Sequence, residues 1–154
     1  MSRESEVAAY LRLDATLMAI LTGGIYEYME IMPEGIRRGA DSPTLSAFDA
    51  NGYLKPCALV KEASLVPYGN LYDEVEKITS TSQRVEIFFY QDRGYSAIQT
   101  AKERTYQLLT AYRFARAYPA RAVLDSQPMA DMGPLAGNST IKQDWQIIGL
   151  RGVS

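Results

Sequence analysis

The sequence predicts an α+β fold: a mostly antiparallel sheet with two main helices packed on one face, plus a long loop excursion. Three observations carry this. Apolar residues recur at helical spacing in two separated segments, one near the start and one after position 95. Between and beyond them lie apolar runs bounded by Gly, Pro and Asp, which mark strands. Those strands follow one another through short or irregular links instead of alternating with helices, which favours antiparallel pairing over a doubly wound parallel sheet. At 154 residues, with 47% hydrophobic and 22% charged, the chain fits a single domain, 1–154. Domains of that length bury roughly 68–70% of their extended surface, so one core suffices.

Taken in order, Val7, Tyr10, Leu11, Leu17, Met18 and Leu21 predict one helix from about Arg3 to Leu21, capped by Ser2 or Ser5 and stopped by Gly23-Gly24. Asp14 falls in its apolar stripe and reads as the stripe's edge or as a partner across an interface. A short strand is expected from Ile25 to Glu30. From Ile31 to Pro56 there is no sustained period, and the stretch reads as a long excursion with a helical turn near Thr44–Phe48 and a tight turn at Asn51-Gly52. Loops that long are usually functional or mobile, so contacts with other chains are expected there.

Cys57–Val66 reads as a strand. LYDEVEKITSTS, from Leu71, is expected to form a helical turn or an irregular crossing. In the next strand Val85, Ile87 and Phe89 point one way and Glu86, Phe88 and Tyr90 the other, which suits a central position. Ile98, Ala101, Thr105, Leu108, Leu109 and Tyr112 then stripe a second helix. Pro119 prevents its continuation. A strand follows over Ala120–Asp125, and a closing strand carries Ile141, Trp145, Ile147 and Ile148.

Chemistry fares poorly against this sequence. The net charge is -2 and no basic run exceeds Arg37-Arg38, so the footprint of a dedicated nucleic-acid binder is missing. With no histidine, Ser-His and Cys-His mechanisms fall away. The turn Asp92-Arg93-Gly94 before the second helix lacks the glycines of a phosphate loop. It predicts only a bend at Gly94 and a helix cap from Asp92. Cys57, the single cysteine, reads as a buried small hydrophobe. Asp73, Glu74 and Glu76 lack calcium-loop spacing and read as a solvated acidic face. No catalytic, cofactor or metal site is expected. Arg12 and Asp14 interrupt the apolar N-terminal stretch, so no targeting or membrane segment is expected and cytoplasmic folding fits best.

Tyrosine is the outstanding residue type, with eleven in the chain. Tyr53, Tyr68, Tyr72 and Tyr118 fall in expected loops. Either they form an interface, where tyrosine is enriched, or they pin loops to their own domain.

A helix ending in Gly23-Gly24-Ile25-Tyr26, a long Pro/Gly loop, the strand Ala58-Leu59-Val60, then VEIFFYQDRGYSAIQTAKERTYQLL from Val85 to Leu109 and two final strands resemble the tail-terminator, or tail-completion, proteins of long-tailed double-stranded-DNA bacteriophages. The resemblance spans most of the chain and rests most on Phe88–Leu109. It implies a non-enzymatic virion protein, assembled in the host cytoplasm as a hexameric ring that caps the tail tube at its head-proximal end. The implied partners are other copies of the chain, the tail tube protein and a head-side connector or stopper. DNA would pass through the lumen without tight binding, and no membrane is involved. A mildly acidic subunit suits that passage, because each neutralised phosphate would add affinity. A closed ring also needs two different complementary patches per subunit. Arg37, Arg38, Phe48, Tyr53, Tyr68 and Tyr72 are the expected subunit-interface residues. Another head–tail neck subunit, such as a head-completion protein, is the alternative, followed by a small ligand-binding domain or enzyme using the Asp92–Ser96 turn.

Overall fold

The computed structural model describes residues 2–32, 35–67, 78–125, 129–130 and 138–152. Its elements are α1 (Arg3–Arg12), α2 (Ala15–Ile20), β1 (Ile25–Glu27), α3 (Tyr28–Ile31), a 3-10 turn (Leu45–Ala47), β2 (Cys57–Pro67), β3 (Ile78–Gln91), α4 (Ser96–Leu109), β4 (Arg121–Asp125), β5 (Met129–Ala130) and β6 (Ser139–Gly152). The strands form one sheet in the order β1-β2-β3-β6-β4, with β5 also on β6. All pairings are antiparallel except β1 with β2. The α+β class and the largely antiparallel sheet are thus as expected, and the parallel β1 is an addition.

Alternation along β2, β3 and β6 gives the sheet two apolar faces. Ala58, Val60, Val85, Ile87, Phe89, Ile141, Trp145 and Ile147 share one core with Val7, Leu11 and Leu17 of the N-terminal helices and Ile98, Ala101 and Leu109 of α4. Cys57, Leu59 and Tyr90, on the other face, are covered by Ile31, Ile36, Ala47, Phe48 and Leu54. The excursion from 31 to 56 is therefore a small lobe with a core of its own, not a structureless loop. Thr44 holds it together: its Oγ1 accepts the Arg37 N–H at 2.9 Å and donates to the Arg37 carbonyl at 3.0 Å. The expected turns are present, as the 3-10 segment and as a turn in which the Asp49 carboxylate accepts the Asn51 and Tyr53 N–H groups.

Four boundaries differ from expectation. The N-terminal helix is two helices, because Asp14 starts a new one by accepting the Leu17 N–H at 2.8 Å. Its two oxygens also take the Arg104 guanidinium of α4 at 3.0 and 2.7 Å, which explains a carboxylate within an apolar stripe. β1 ends at Glu27, where α3 begins with the Met29 N–H bonded to Glu4. Ile78 to Ser82, assigned above to a helical turn or an irregular crossing, belongs to β3, consistent with the β-branched Ile78, Thr79 and Thr81. Residues 68–77 of that crossing lie outside the described residues. β6 is a single strand over Ser139–Gly152, longer than the closing segment expected.

The Asp14–Arg104 pair makes stability depend on pH. The Arg104 hydrogen bond holds the Asp14 carboxyl below the usual carboxylate range, and the Ser5 hydroxyl and then Arg12 do the same for Glu27. A depressed folded-state pKa adds stability that is complete above the ordinary value near 4 and is lost as pH falls through the folded value. Asp144, raised chiefly by burial, acts in the opposite sense but equally in wild type and Asp14 variants, so it drops out of their difference. Asp14→Ala should cost about 1–2 kcal/mol at neutral pH, most of it the lost cap, since the Arg104 side chain is one-third exposed and its pairing correspondingly screened. Urea unfolding over a series of pH values should show the gap narrow as pH falls through the depressed folded-state pKa of Asp14.

Candidate interaction surface

The turn into α4 is a structural joint. Gly94 takes φ +72°, a left-handed conformation that glycine adopts without strain, so the expected bend is present. The expected cap is not from Asp92. α4 starts at Ser96 with Tyr95 in the cap position, too far along for the short Asp92 side chain. Gln91 reaches over the turn instead: its Oε1 accepts the Ala97 and Ile98 N–H groups, each at 3.2 Å, and its Nε2 donates to the Arg93 carbonyl. The free N–H groups at this helix start are thus partly spent on the chain itself. Cys57 is fully buried and desolvation pushes its thiol up to about 12, which leaves it unreactive at neutral pH.

The sequence-selected interface residues divide among different roles. Arg38 donates to the Gly52 carbonyl at 2.7 Å and lies 5.1 Å over the Phe48 ring. Phe48 itself is buried in the second core, so its ring serves its own lobe. Arg37 is half-buried beside Thr44. Tyr53 is 53% exposed, and Tyr68 and Tyr72 lie outside the described residues. The same lobe also exposes Met29, Met32 and Leu45. Sequence reasoning missed these three because isolated apolar residues in an aperiodic segment do not show whether they face inward.

A polar row lies on the lobe-facing side of the sheet. Lys142 sits 3.5 Å from both Glu86 and Asp144 and 5.6 Å from the Phe88 ring centre. Burial pushes the Asp144 carboxyl above its usual range, and the nearby Lys142 opposes the shift. One lysine is thus shared by two carboxylates on this face. Among the described residues no group of three or more His, Cys, Asp or Glu side chains is placed to hold a metal, and no helix is long and apolar enough to cross a membrane.

Two clefts among the described residues lie elsewhere, where residues 110–120 return from α4 toward β4. A cleft of about 410 Å³ is lined by Arg113, Phe114, Arg116, Ala117 and Tyr118. A second, of about 320 Å³, shares Arg113 and Phe114 and extends to Tyr10, Leu13 and Tyr112. Tyr10 stacks on Tyr112 at 3.8 Å, and Phe114 meets Tyr112 edge-on at 4.8 Å, so the wall between the clefts is rigid and aromatic.

No protein-family model and no curated protein matches the chain. Among solved structures, a chain of the virion of a native gene transfer agent particle superposes with a TM-score of 0.62 over 97% of this chain and 96% of that one. The likeness is one of fold. At 12% identity it carries no residue roles across, but it extends over the sheet, the helices and the excursion lobe together.

Proposed function

We propose that the chain is a structural virion protein that assembles as a ring, most simply a hexamer, on the head-proximal end of a phage tail tube. There it ends tube growth and offers the surface on which the head docks. The observation that carries this is the whole-length likeness of fold to a chain of a gene transfer agent virion. The tail-terminator resemblance of Phe88–Leu109 supports the finer assignment, as does an excursion lobe that exposes Met29, Met32, Leu45 and Tyr53. Exposed methionine and tyrosine suit adaptable protein contacts. Neither catalysis nor a cofactor is part of this reading.

Native mass spectrometry of the purified protein, alone and mixed with tail-tube extract, tests it together with negative-stain images of tube ends. The expected result is a closed ring, free or seated on the ends, and tubes of uniform length. A protein that stays monomeric and never associates with tube ends would overturn the reading. A ring found on the head side of the joint would assign the chain to a neck or connector subunit instead.

A further inference from the structure

From Arg104 to Leu124 this net-acidic chain carries four arginines and no acidic residue. Arg104 is taken up by Asp14, whereas Arg113, Arg116 and Arg121 are exposed. The fold places them at the end of β6, where Ala117 bridges Gly149 and the Tyr118 N–H donates to the Ile148 carbonyl at 2.8 Å. The loop is pinned further: the Ala111 N–H bonds the Ala120 carbonyl, the Ala120 N–H bonds the Tyr112 carbonyl, and Arg3 holds the Ala115 carbonyl. Ala111 and Arg116 are left-handed at φ 63° and 55°, conformations that disfavour residues other than glycine. Arg113 spends its Nε on the Ala117 carbonyl at 3.0 Å, and the exposed Arg116 side chain makes no hydrogen bond or ion pair among the described residues. The result is a preformed cleft with aromatic walls and a cationic rim.

We propose that this cleft receives the segment Tyr68–Lys77 of a second copy of the chain. That segment, YGNLYDEVEK, carries Asp73, Glu74 and Glu76 against a single lysine, the densest acidic run in the sequence, and adds Tyr68 and Tyr72. Charge complementarity favours it over DNA, since three arginines on a chain of net charge -2 are a small footprint for a duplex. The segment and the cleft are different stretches of the chain, as the two complementary patches of a head-to-tail closed ring must be. The segment leaves β2 at Pro67 and re-enters β3 at Ile78, at the sheet end where Thr81 pairs Gly149 and Gly149 bridges Ala117, so what it is proposed to reach is specifically a neighbour's cleft and not its own. The inference rests on the ring reading and deepens it by naming the two surfaces that meet.

Two measurements test it. The first titrates a fluorescent synthetic peptide of residues 68–77 into the full chain carrying Asp73→Asn, Glu74→Gln and Glu76→Gln, whose own segment no longer competes. Saturable binding is expected, weaker by about tenfold with Arg113→Ala and Arg116→Ala added and falling as salt is raised. Binding no better than that of the uncharged peptide would overturn the proposal, even if the wild type forms rings. So would a short DNA duplex that binds in an arginine-dependent way where the peptide does not.

The second is a charge swap read by native mass spectrometry. Chains with Arg113→Glu and Arg116→Glu, and chains with Asp73→Lys, Glu74→Lys and Glu76→Lys, should each fail to close rings alone and form alternating rings when mixed. Circular dichroism checks that each variant is folded, and glutamine replaces glutamate at 113 and 116 if the first is not. Rings from either charge-reversed variant alone would sink the proposal. If the peptide binds as expected but the wild type never closes a ring, the contact stands and the ring reading fails.

Discussion

Replacing Trp145 by alanine is expected to lower stability by about 3–5 kcal/mol, the range for truncating a large aromatic in a packed core. Trp145 is 1% exposed and lies midway along β6, a strand with neighbours on both sides. In register it faces Val85 of β3 and Ala122 of β4, and its ring lies 6.0 Å from that of Tyr106 on α4. One side chain thus fills the space between the sheet and its helix layer. The indole N–H also donates to Gln143 Oε1 at 2.8 Å inside the core, so alanine removes a buried hydrogen bond as well as volume. Trp145→Phe keeps a six-membered ring but loses the donor and the volume of the second ring, and should cost about 1–3 kcal/mol, less than alanine. Because this is the only tryptophan, unfolding in urea is best followed by far-ultraviolet circular dichroism in all variants. A midpoint shift with unchanged slope would place the loss in the folded state. Tyr118→Ala, on the exposed rim, should move stability by less than about 0.5 kcal/mol. A Trp145→Ala midpoint no lower than that of Tyr118→Ala would mean that β6 is not the centre of the core.

The legibility of the sequence follows the range of the forces involved. α4 and the two-faced β3 could be read because each carries a local period, 3.6 or 2, over several turns or pleats. The break at Asp14 has a local cause, the cap that its carboxylate gives to the Leu17 N–H, but the guanidinium 90 positions away that occupies the same acid within an apolar stripe could not be read. Gln91 was hidden for a different reason: Asp92 has the better capping chemistry, but reach decided the outcome. The second core is aperiodic, built from Ile31, Ile36, Phe48 and Leu54 at irregular spacing, so only tertiary packing reveals it. The same holds for the candidate surface. Arg113, Arg116 and Arg121 never form a run, and they become one patch only because the 110–120 loop folds back along β6.

Glu4 offers the other large effect: an acid in the first turn of a helix normally lies in solvent near the positive end of the dipole, and this one does not. In the fold Glu4 is 1% exposed. Its Oε1 accepts the Glu62 N–H on β2 at 3.1 Å, and its Oε2 accepts the Met29 N–H on α3 at 2.9 Å. Glu62 returns the bond by accepting the Glu4 N–H at 3.1 Å, which occupies one of the unpaired donors at the start of α1. One carboxylate therefore ties three elements together at a place where the pairing register of β2 shifts, between Glu62 and Ser64. Glu4→Ala would leave two backbone N–H groups without their charged acceptor, each worth about 1.5–3 kcal/mol, so a total loss of about 3 kcal/mol or more is expected. Glu4→Gln should recover only part of it, since an amide offers one oxygen to one of the two donors and sets its NH2 against the other. Hydrogen exchange gives a local readout: the Met29 and Glu62 amides should lose protection in both variants, with the Met29 amide reporting release of α3. That release would also free Met29, which α3 holds exposed on the lobe proposed above as a contact surface. Wild-type stability and unchanged protection at both amides in Glu4→Ala would show that Glu4 does not hold the lobe to the sheet.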